Sequence, residues 1–443
     1  MSRPNPSQPV ALAGVLEATA AHSATVLSQK ARGLAKSEIL TIAYDIRDRV
    51  ARGERITNLT VGDFSPREFP IPRRLIDGIV AALEGGHTNY PPSSGTVELR
   101  DALRVFYARR LGLDYPAESV LIGGGARPMI MAAYQALVEP GDVVVYGVPS
   151  WNNEHYAYLT DAEAIELRGD PAEGFMPDVD AYRPHLRRAR LLFFNTPLNP
   201  TGTMLQPDKL ARICEAVIEE NARRAAAGER ALFIVFDQVY WMITFGGEHA
   251  SPPQIDPRMA PYTILIDAVS KSFAATGLRV GWAFGPAEVI TRMGAFVSHM
   301  GAWAPRPEQI AFASLLRDDA AVNAFHAAFV PALGARLRVL YDGLMALKAG
   351  GFPVDAIAPE GALYLSAKID LIGRTTPEGV TLGDIEAVRT WLLGEAGMGV
   401  VPFRAFGYAN DTEGWMRLSV GAVSIADCHG VVERLGRALA ALR

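Results

Sequence analysis

Ala268-Val269-Ser270-Lys271-Ser272-Phe273-Ala274-Ala275-Thr276-Gly277-Leu278-Arg279-Val280-Gly281-Trp282 is the stretch whose surroundings decide how this chain folds. An apolar, β-rich run over 262–266 precedes it, and a second over 280–284 closes it, so both flanks read as buried strands. One lysine therefore stands where a strand gives way to a turn of small residues, with an arginine eight positions on. Among Ala, Val, Ser and Phe an ammonium is poorly solvated, which lowers its pKa and favours the neutral amine that forms Schiff bases. The arginine can grip a phosphate through two parallel hydrogen bonds. Amine and clamp together suit a ligand with an aldehyde and a phosphate; a surface lysine in a loop explains the same residues equally well until the rest of the chain is read.

Outward from this stretch the pattern alternates. Strands are expected over 143–148, 191–195, 232–237, 263–267 and 280–284, with helices such as 129–137 and 207–226 between the earlier ones. Strands apolar on both faces, alternating with helices, predict an α/β fold: a three-layer large domain whose mostly parallel sheet is covered on both sides. Ligands of such sheets gather at the carboxyl ends of the strands. Upstream, helices are expected over 38–51, with Ser37 as N-cap, 75–83 and 97–111, and a strand over 56–61. Beyond 310 the pattern changes to helices over 309–316 and 331–348 and strands over 362–369 and 416–420. The division that follows is an N-terminal arm and small-domain segment at 1–60, a large domain at 61–310, and a small α+β domain completed by 311–443.

Composition narrows the function classes. The 443 residues are 49% hydrophobic and 21% charged, enough for a substantial core, and the formal net charge is -5. No basic run suggests a nucleic-acid partner. Cys214 and Cys428 lie far apart without a CxxC, which points to a reducing cytoplasm and a buried, unpaired Cys214. No stretch approaches the roughly 20 apolar residues that span a bilayer, so no membrane association is expected. The apolar run at 10–16 has only Arg3 as a positive residue before it, with Pro4, Pro6 and Pro9 intervening, so a loose tail is expected rather than a secretory signal.

Three further segments carry chemistry. Gly123-Gly124-Gly125-Ala126-Arg127-Pro128 joins a strand-like run to a helix, where free backbone N–H groups and the helix dipole receive a phosphate. Asn195-Thr196-Pro197-Leu198-Asn199-Pro200-Thr201-Gly202 ends a strand in a Pro-stiffened loop that presents Asn199. Leu232-Phe233-Ile234-Val235-Phe236-Asp237 ends a buried strand on a carboxylate, which is costly unless it meets a cation or donors. A protonated pyridine nitrogen would serve, and Tyr240 could then bond a neighbouring phenolic oxygen. Singly, each has an ordinary alternative: a turn, an Asn-Pro turn initiator, a helix cap.

In order, they resemble a known family. Gly125-Ala126-Arg127, Pro149-Ser150-Trp151, Asn199-Pro200-Thr201-Gly202, Asp237-Gln238-Val239-Tyr240, Ser270-Lys271 with Arg279, and Arg417-Leu418-Ser419 are similar to the motifs of the fold-type I pyridoxal-phosphate aminotransferases, nearest the aspartate aminotransferase family. Tyr90-Pro91-Pro92-Ser93-Ser94-Gly95 with Glu98-Leu99-Arg100 adds another segment, and the likeness runs from about Ser37 to Ser419. It implies pyridoxal 5'-phosphate as cofactor and no metal. Lys271 would hold the aldehyde and then carry the proton. Asp237 would keep the pyridine nitrogen protonated, Tyr240 and Asn199 would bond the phenolic oxygen, and Trp151 would stack on the ring. The Ala126 backbone, Arg127, Arg279 and Ser270 would hold the phosphate, with Tyr90 reaching the phosphate of a neighbouring subunit in a homodimer that shares its active sites. Arg417 and the Gly62 backbone would take the substrate α-carboxylate. The reaction implied is ping-pong transfer of an amino group from an L-amino acid to a 2-oxo acid.

Two positions depart from the family pattern: Gln238 replaces an acidic residue, and Ala268 stands where many members carry a phosphate-binding hydroxyl. For the substrate, Met300 falls near the arginine used by some aspartate-specific members. Another branch uses a lysine after the Gly-Ala pair with a serine at the N-terminal helix cap; here those are Arg127 and Ser37, which favours aspartate or glutamate. The alternatives are a pocket for aromatic or aliphatic side chains lined by His299 and Trp303, and a β-lyase on the same core residues. A transcription regulator would need an N-terminal DNA-binding module, and the segment before Ser37 is too short and too little basic for one.

Overall fold

Strands apolar on both faces need cover on both sides, and the chain supplies it. The computed structural model describes residue 13 and residues 26–34, 38–409 and 411–442. The chain forms two units, dividing after Ser37. In the first, α1 (Gln29–Gly33) begins at Ser28, whose side chain accepts from the Ala31 N–H. The expected cap at Ser37 lies outside the described residues.

The second unit opens with α2 (Glu38–Ala51), β1 (Thr57–Asn58), α3 (Arg73–Glu84) and α4 (Val97–Leu111). Alternation follows through β2 (Val120–Gly123), α5 (Ala126–Leu137), β3 (Val143–Val148), α6 (Asn153–Leu159), β4 (Glu163–Arg168), α7 (Val179–Leu186), β5 (Ala189–Asn195), α8 (Pro207–Ala227) and β6 (Phe233–Asp237). Then come β7 (Thr263–Ala268), α9 (Val269–Ser272), β8 (Gly281–Phe284), α10 (Ala287–His299), α11 (Arg306–Leu316) and α12 (Asp319–Ala349). The chain ends with β9 (Val354–Ala356), β10 (Tyr364–Ile369), α13 (Ile385–Glu395), β11 (Met398–Gly399), β12 (Val401–Pro402), β13 (Trp415–Ser419) and α14 (Ile425–Ala441).

Seven strands form one sheet in the order β2-β8-β7-β6-β5-β3-β4, parallel except for β8, which runs antiparallel to both neighbours. The pleat sends alternate residues into different cores: Ile234 and Phe236 enter one, Phe233 and Val235 the other. Helices cover both faces, giving the three layers expected. The edge strand β4 was not legible because Glu163, Glu166 and Arg168 interrupt its apolar residues; an edge strand exposes much of its surface and carries charge that discourages further pairing.

A four-stranded antiparallel sheet, β12-β13-β10-β9, lies on a third core with α12 and α14, and β1 pairs in parallel with β11. Two expectations need correction here. The strand placed at 56–61 is only Thr57–Asn58, because the Asn58 side chain accepts from the Thr60 N–H at 3.1 Å and hydroxyl at 2.6 Å and turns the chain. The helix placed at 331–348 begins at Asp319, with Pro331 inside it. Proline in a helix interior costs about 3 kcal/mol; burial of Val322, Phe329, Leu333, Leu337, Leu340 and Leu344 along one helix offsets that. Val322 packs into the core of the large sheet and Phe329 onward into the core of the small one, while residue 310 falls inside α11, whose Phe312 and Leu315 belong to the large-sheet side. Cys214 and Cys428 are both buried and unpaired.

Candidate active site

Adjacent strands β5, β6 and β7 end together, with Asn195 opposite Asp237 and Asp237 opposite Ile266. The Asp237 carbonyl accepts from Asn195 Nδ2 at 3.0 Å and the Thr196 N–H at 3.1 Å, which fixes where its side chain starts. Its carboxylate accepts from the Val239 N–H at 3.2 Å. Burial pushes this carboxyl up to about 7, against a weaker pull from the Lys271 ammonium. Such a group is stabilised by a cation placed directly on it.

Lys271 sits in α9, one turn beyond the end of β7, and donates to the Gly62 carbonyl. Burial lowers its pKa to about 8; Asp63 opposes this, while Arg417, Arg127 and Arg279 add to it. Asp63 is itself engaged by the Phe64 N–H at 2.7 Å and the Thr276 hydroxyl. The lysine is thus held by a neutral carbonyl among three guanidinium groups, an arrangement suited to anionic ligands.

Arg417, on β13, is 2% exposed. Its Nη1 donates to Asn199 Oδ1 at 3.0 Å and its Nη2 to the Thr60 carbonyl at 2.5 Å, while Nε is buried with no partner. The guanidinium lies 4.8 Å from the ring centres of both Tyr364 and Phe406. A buried guanidinium bonded only to neutral oxygens, with a spare donor, is chemically suited to a carboxylate.

The glycine turn before α5 forms the opposite wall. Gly125 has φ 103° and α5 starts at Ala126 with no side-chain cap, so its first N–H groups are open to an anion. Arg279 Nη2 donates to the Gly124 carbonyl at 2.9 Å, and a Cβ on Gly125 would stand 2.2 Å from that nitrogen. A Cβ on Gly281 would stand 2.7 Å from the Ala126 nitrogen, so glycine is needed where β8 passes the turn. Ser270 is buried beside Lys271, and the Arg127 guanidinium lies 4.1 Å from the centre of the Trp151 ring.

These contacts bring Gly62, Asn199, Asp237, Tyr240, Lys271 and Arg417 together, with the Gly125–Ala126 turn, Arg127 and Arg279 within electrostatic reach of the lysine or of each other. Tyr90 stands apart: it is 81% exposed and packs edge-on against Trp303 at 5.3 Å. Ser37 lies outside the described residues. Gln238 turns into the core, donating to the Tyr107 hydroxyl at 3.3 Å, which donates to Asp267 at 2.9 Å; an amide can donate there where a carboxylate would repel Asp267. Ala268 is buried and offers no hydroxyl. Sequence reasoning missed Tyr364, whose hydroxyl lies 2.9 Å from that of Tyr240; a tyrosine in an apolar strand gives no signal of that meeting.

The open charges match a phosphorylated pyridine aldehyde: the uncapped helix end and Arg279 for the phosphate, Asp237 for the ring nitrogen, Lys271 for the aldehyde. Among the described residues no group of His, Cys, Asp and Glu is placed to hold a metal ion, and no helix is long and apolar enough to cross a membrane.

Comparison with known proteins agrees with this geometry. The family model for aminotransferase class I and II matches residues 54–435. The aspartate/prephenate aminotransferase of Thermus thermophilus is 28% identical over 418 residues, 93% of this chain and 98% of that protein. The aspartate aminotransferase of Geobacillus stearothermophilus is 27% identical, again over 93% of this chain and 98% of its own. The solved structure of Thermus thermophilus aspartate aminotransferase with maleate superposes with a TM-score of 0.81 at 27% identity, covering 93% of this chain and 99% of that one.

Proposed function

This chain belongs to the class I and II aminotransferase family, and from that membership we propose that its amino donor is aspartate or glutamate, with a 2-oxo acid as acceptor. It is a pyridoxal-phosphate-dependent transaminase. The observation that carries the acidic substrate is a pair of guanidinium groups facing the lysine: Arg417, whose buried Nε has no partner, and Arg127, 4.1 Å from the centre of the Trp151 ring. Two carboxylates on one substrate need two cations, and arginine binds each bidentately. Relatives named for aspartate, and for aspartate and prephenate, support the reading.

When bound, pyridoxal phosphate supplies an aldehyde carbon that exchanges amines and a ring that accepts the electron pair left by the departing α-proton. In our reading Arg417 holds the α-carboxylate and orients the Cα–H bond toward Lys271. The neutral Lys271 amine would take and return the proton on Nζ; burial and three nearby guanidinium groups keep that amine available. Asp237 would hold the proton on the ring nitrogen, while Tyr240 and Asn199 would bond the phenolic oxygen. The Ala126 N–H, Ser270 and Arg279 would hold the phosphate, Trp151 would cover the ring, and the Gly62 backbone would help to take the α-carboxylate. Arg127 would take the side-chain carboxylate.

The working unit in this reading is a homodimer with Tyr90 reaching the partner's phosphate. Its 81% exposure supports this, as do Ile76, Val80 and Leu83, which leave an apolar stripe of α3 uncovered. A cytoplasmic setting is supported by two buried, unpaired cysteines. The division at 60 and 310 is kept as the domain proposal. Single-turnover rates with aspartate, alanine and phenylalanine test the substrate. Aspartate is expected to lead by about tenfold or more, one well-formed ion pair, and Arg127→Met to erase the lead; equal rates in the unaltered enzyme would reject the acidic substrate.

A further inference from the structure

Tyr364 is buried in the site, 1% exposed, with its hydroxyl among the cofactor-facing groups. It opens β10, two residues from Ser366, which pairs with Arg417 in the sheet. Its hydroxyl lies 2.9 Å from the Tyr240 hydroxyl, and a Cβ on Gly62 would stand 2.8 Å from it, so it reaches between Tyr240 and the residue that accepts from Lys271. Its ring lies 4.8 Å from the Arg417 guanidinium. One side chain therefore touches the carboxylate anchor and the tyrosine beside the cofactor's ring oxygen.

The backbone before Tyr364 is clamped from two sides. The Glu360 and Gly361 N–H groups donate to the Gly202 carbonyl at 2.8 and 3.0 Å, and the Ala362 N–H donates to the Ile243 carbonyl at 2.9 Å. Ala362 adopts φ 61°, a left-handed conformation that costs an alanine about 1–2 kcal/mol. A Cβ on Gly202 would stand 2.1 Å from the Tyr364 carbonyl, so the Asn199–Gly202 loop and β10 meet backbone to backbone. Ser366 adds a bond to the Thr201 carbonyl at 2.9 Å. A hydroxyl carried on such a frame has a fixed position.

We propose that Tyr364 is a positioning residue that acts through Tyr240: it donates to the Tyr240 oxygen and so strengthens the bond Tyr240 gives to the cofactor's phenolic oxygen. Of the two possible directions in the hydroxyl pair, this one leaves the Tyr240 proton free for the ligand. Hydrogen bonds in a chain polarise one another, so the second donor makes the first a better one. A stronger bond draws charge from the phenolic oxygen and weakens its hold on the neighbouring nitrogen's proton. The ring stays against Arg417 whether or not the hydroxyl is present, so the effect belongs to chemistry rather than substrate affinity.

The inference rests on the transaminase reading, and the test separates the two. The pH midpoint of the visible absorbance of the cofactor-loaded enzyme is measured for the unaltered protein, Tyr364→Phe, Tyr240→Phe and the double variant, with the melting temperature of each cofactor-free protein as a check on folding. Tyr364→Phe is expected to raise the midpoint by about 0.3–0.7 pH unit and to lower kcat about threefold at unchanged KM. Once Tyr240 is phenylalanine, Tyr364→Phe should move the midpoint no further. Tyr364→His, which keeps a donor, should recover part of the shift and serves if Tyr364→Phe folds poorly. A midpoint unmoved in both Tyr364 variants, or an equal shift with and without the Tyr240 hydroxyl, overturns the proposal. An unaltered protein whose spectrum ignores added amino acids would instead overturn the transaminase reading.

Discussion

Arg417 Nη1 lies 3.0 Å from Asn199 Oδ1, so a side chain of the C-terminal sheet and one from the loop after β5 share a hydrogen bond across the site. The arginine proposed to anchor the substrate and the asparagine proposed for the cofactor's ring oxygen are therefore one mechanical unit. Lysine keeps the charge but cannot bond Asn199, the Thr60 carbonyl and a carboxylate from one planar fork. Arg417→Lys is expected to lower kcat/KM for the amino donor by about 100-fold, the cost of one lost hydrogen bond to a buried charged group, measured by single-turnover kinetics. A change below threefold would remove Arg417 from the carboxylate site.

In the proposed mechanism Lys271 carries the proton in both half-reactions. Lys271→Ala should cost each of them at least about a thousandfold, within the range for loss of a positioned acid–base group, while leaving the fold intact by circular dichroism. Turnover close to that of the unaltered enzyme would end the assignment.

The lysine's depressed pKa also predicts how the cofactor is taken up. Only the neutral amine attacks an aldehyde, and burial sets the Lys271 pKa in the cofactor-free protein at about 8. The rate at which cofactor-free protein captures its cofactor should rise with pH and level off above about 8. A plateau beginning only near 10, where an ordinary lysine titrates, would contradict the buried site.

Asp237 predicts a stability trend of the opposite kind to most carboxylates. Its folded pKa of about 7 lies above the unfolded value near 3.9. Between these the folded state binds the extra proton, so the contribution is fully present below about pH 4 and is lost as pH rises through 7. Cofactor-free protein should therefore lose stability over that window, by denaturant midpoints, more steeply than Asp237→Asn. Parallel profiles for the two proteins would show that Asp237 is not buried unpaired.

Gly125 tests the phosphate cradle. Alanine there meets both φ 103° and the Arg279 guanidinium at 2.2 Å. Gly125→Ala should weaken cofactor binding by about tenfold or more, as strain of about 1–3 kcal/mol implies, followed by fluorescence titration. Undiminished affinity would place the phosphate elsewhere.

Much of this site was legible along the chain because its residues follow strands whose apolar runs are unmistakable. Asp237 ends such a run, Asn199 and Lys271 each follow one in the loop or turn beyond it, and a parallel sheet delivers those strand ends to one edge. Charged edge strand β4 was not legible, nor the start of α12, where Pro331 imitates a helix boundary. The roles of Gln238 and Tyr364 were also hidden, since both depend on partners more than a hundred residues away.

By itself, then, the sequence determined the alternating strands and helices, the order of the chemical groups along them, and the identity of the amine, the carboxylate and the guanidinium groups. Those follow from local pattern: side-chain periodicity decides what must be buried, and residue type decides what can react. Tertiary structure alone decided the protonation of those groups and their company. Lys271 falls to about 8 and Asp237 rises to about 7 because burial removes water from both. Arg417 keeps an unpartnered Nε because the fold turns only its other two nitrogens toward acceptors, and Tyr364 meets Tyr240 because two backbone clamps hold the start of β10. Desolvation and long-range contact are properties of the folded chain, which no local pattern encodes.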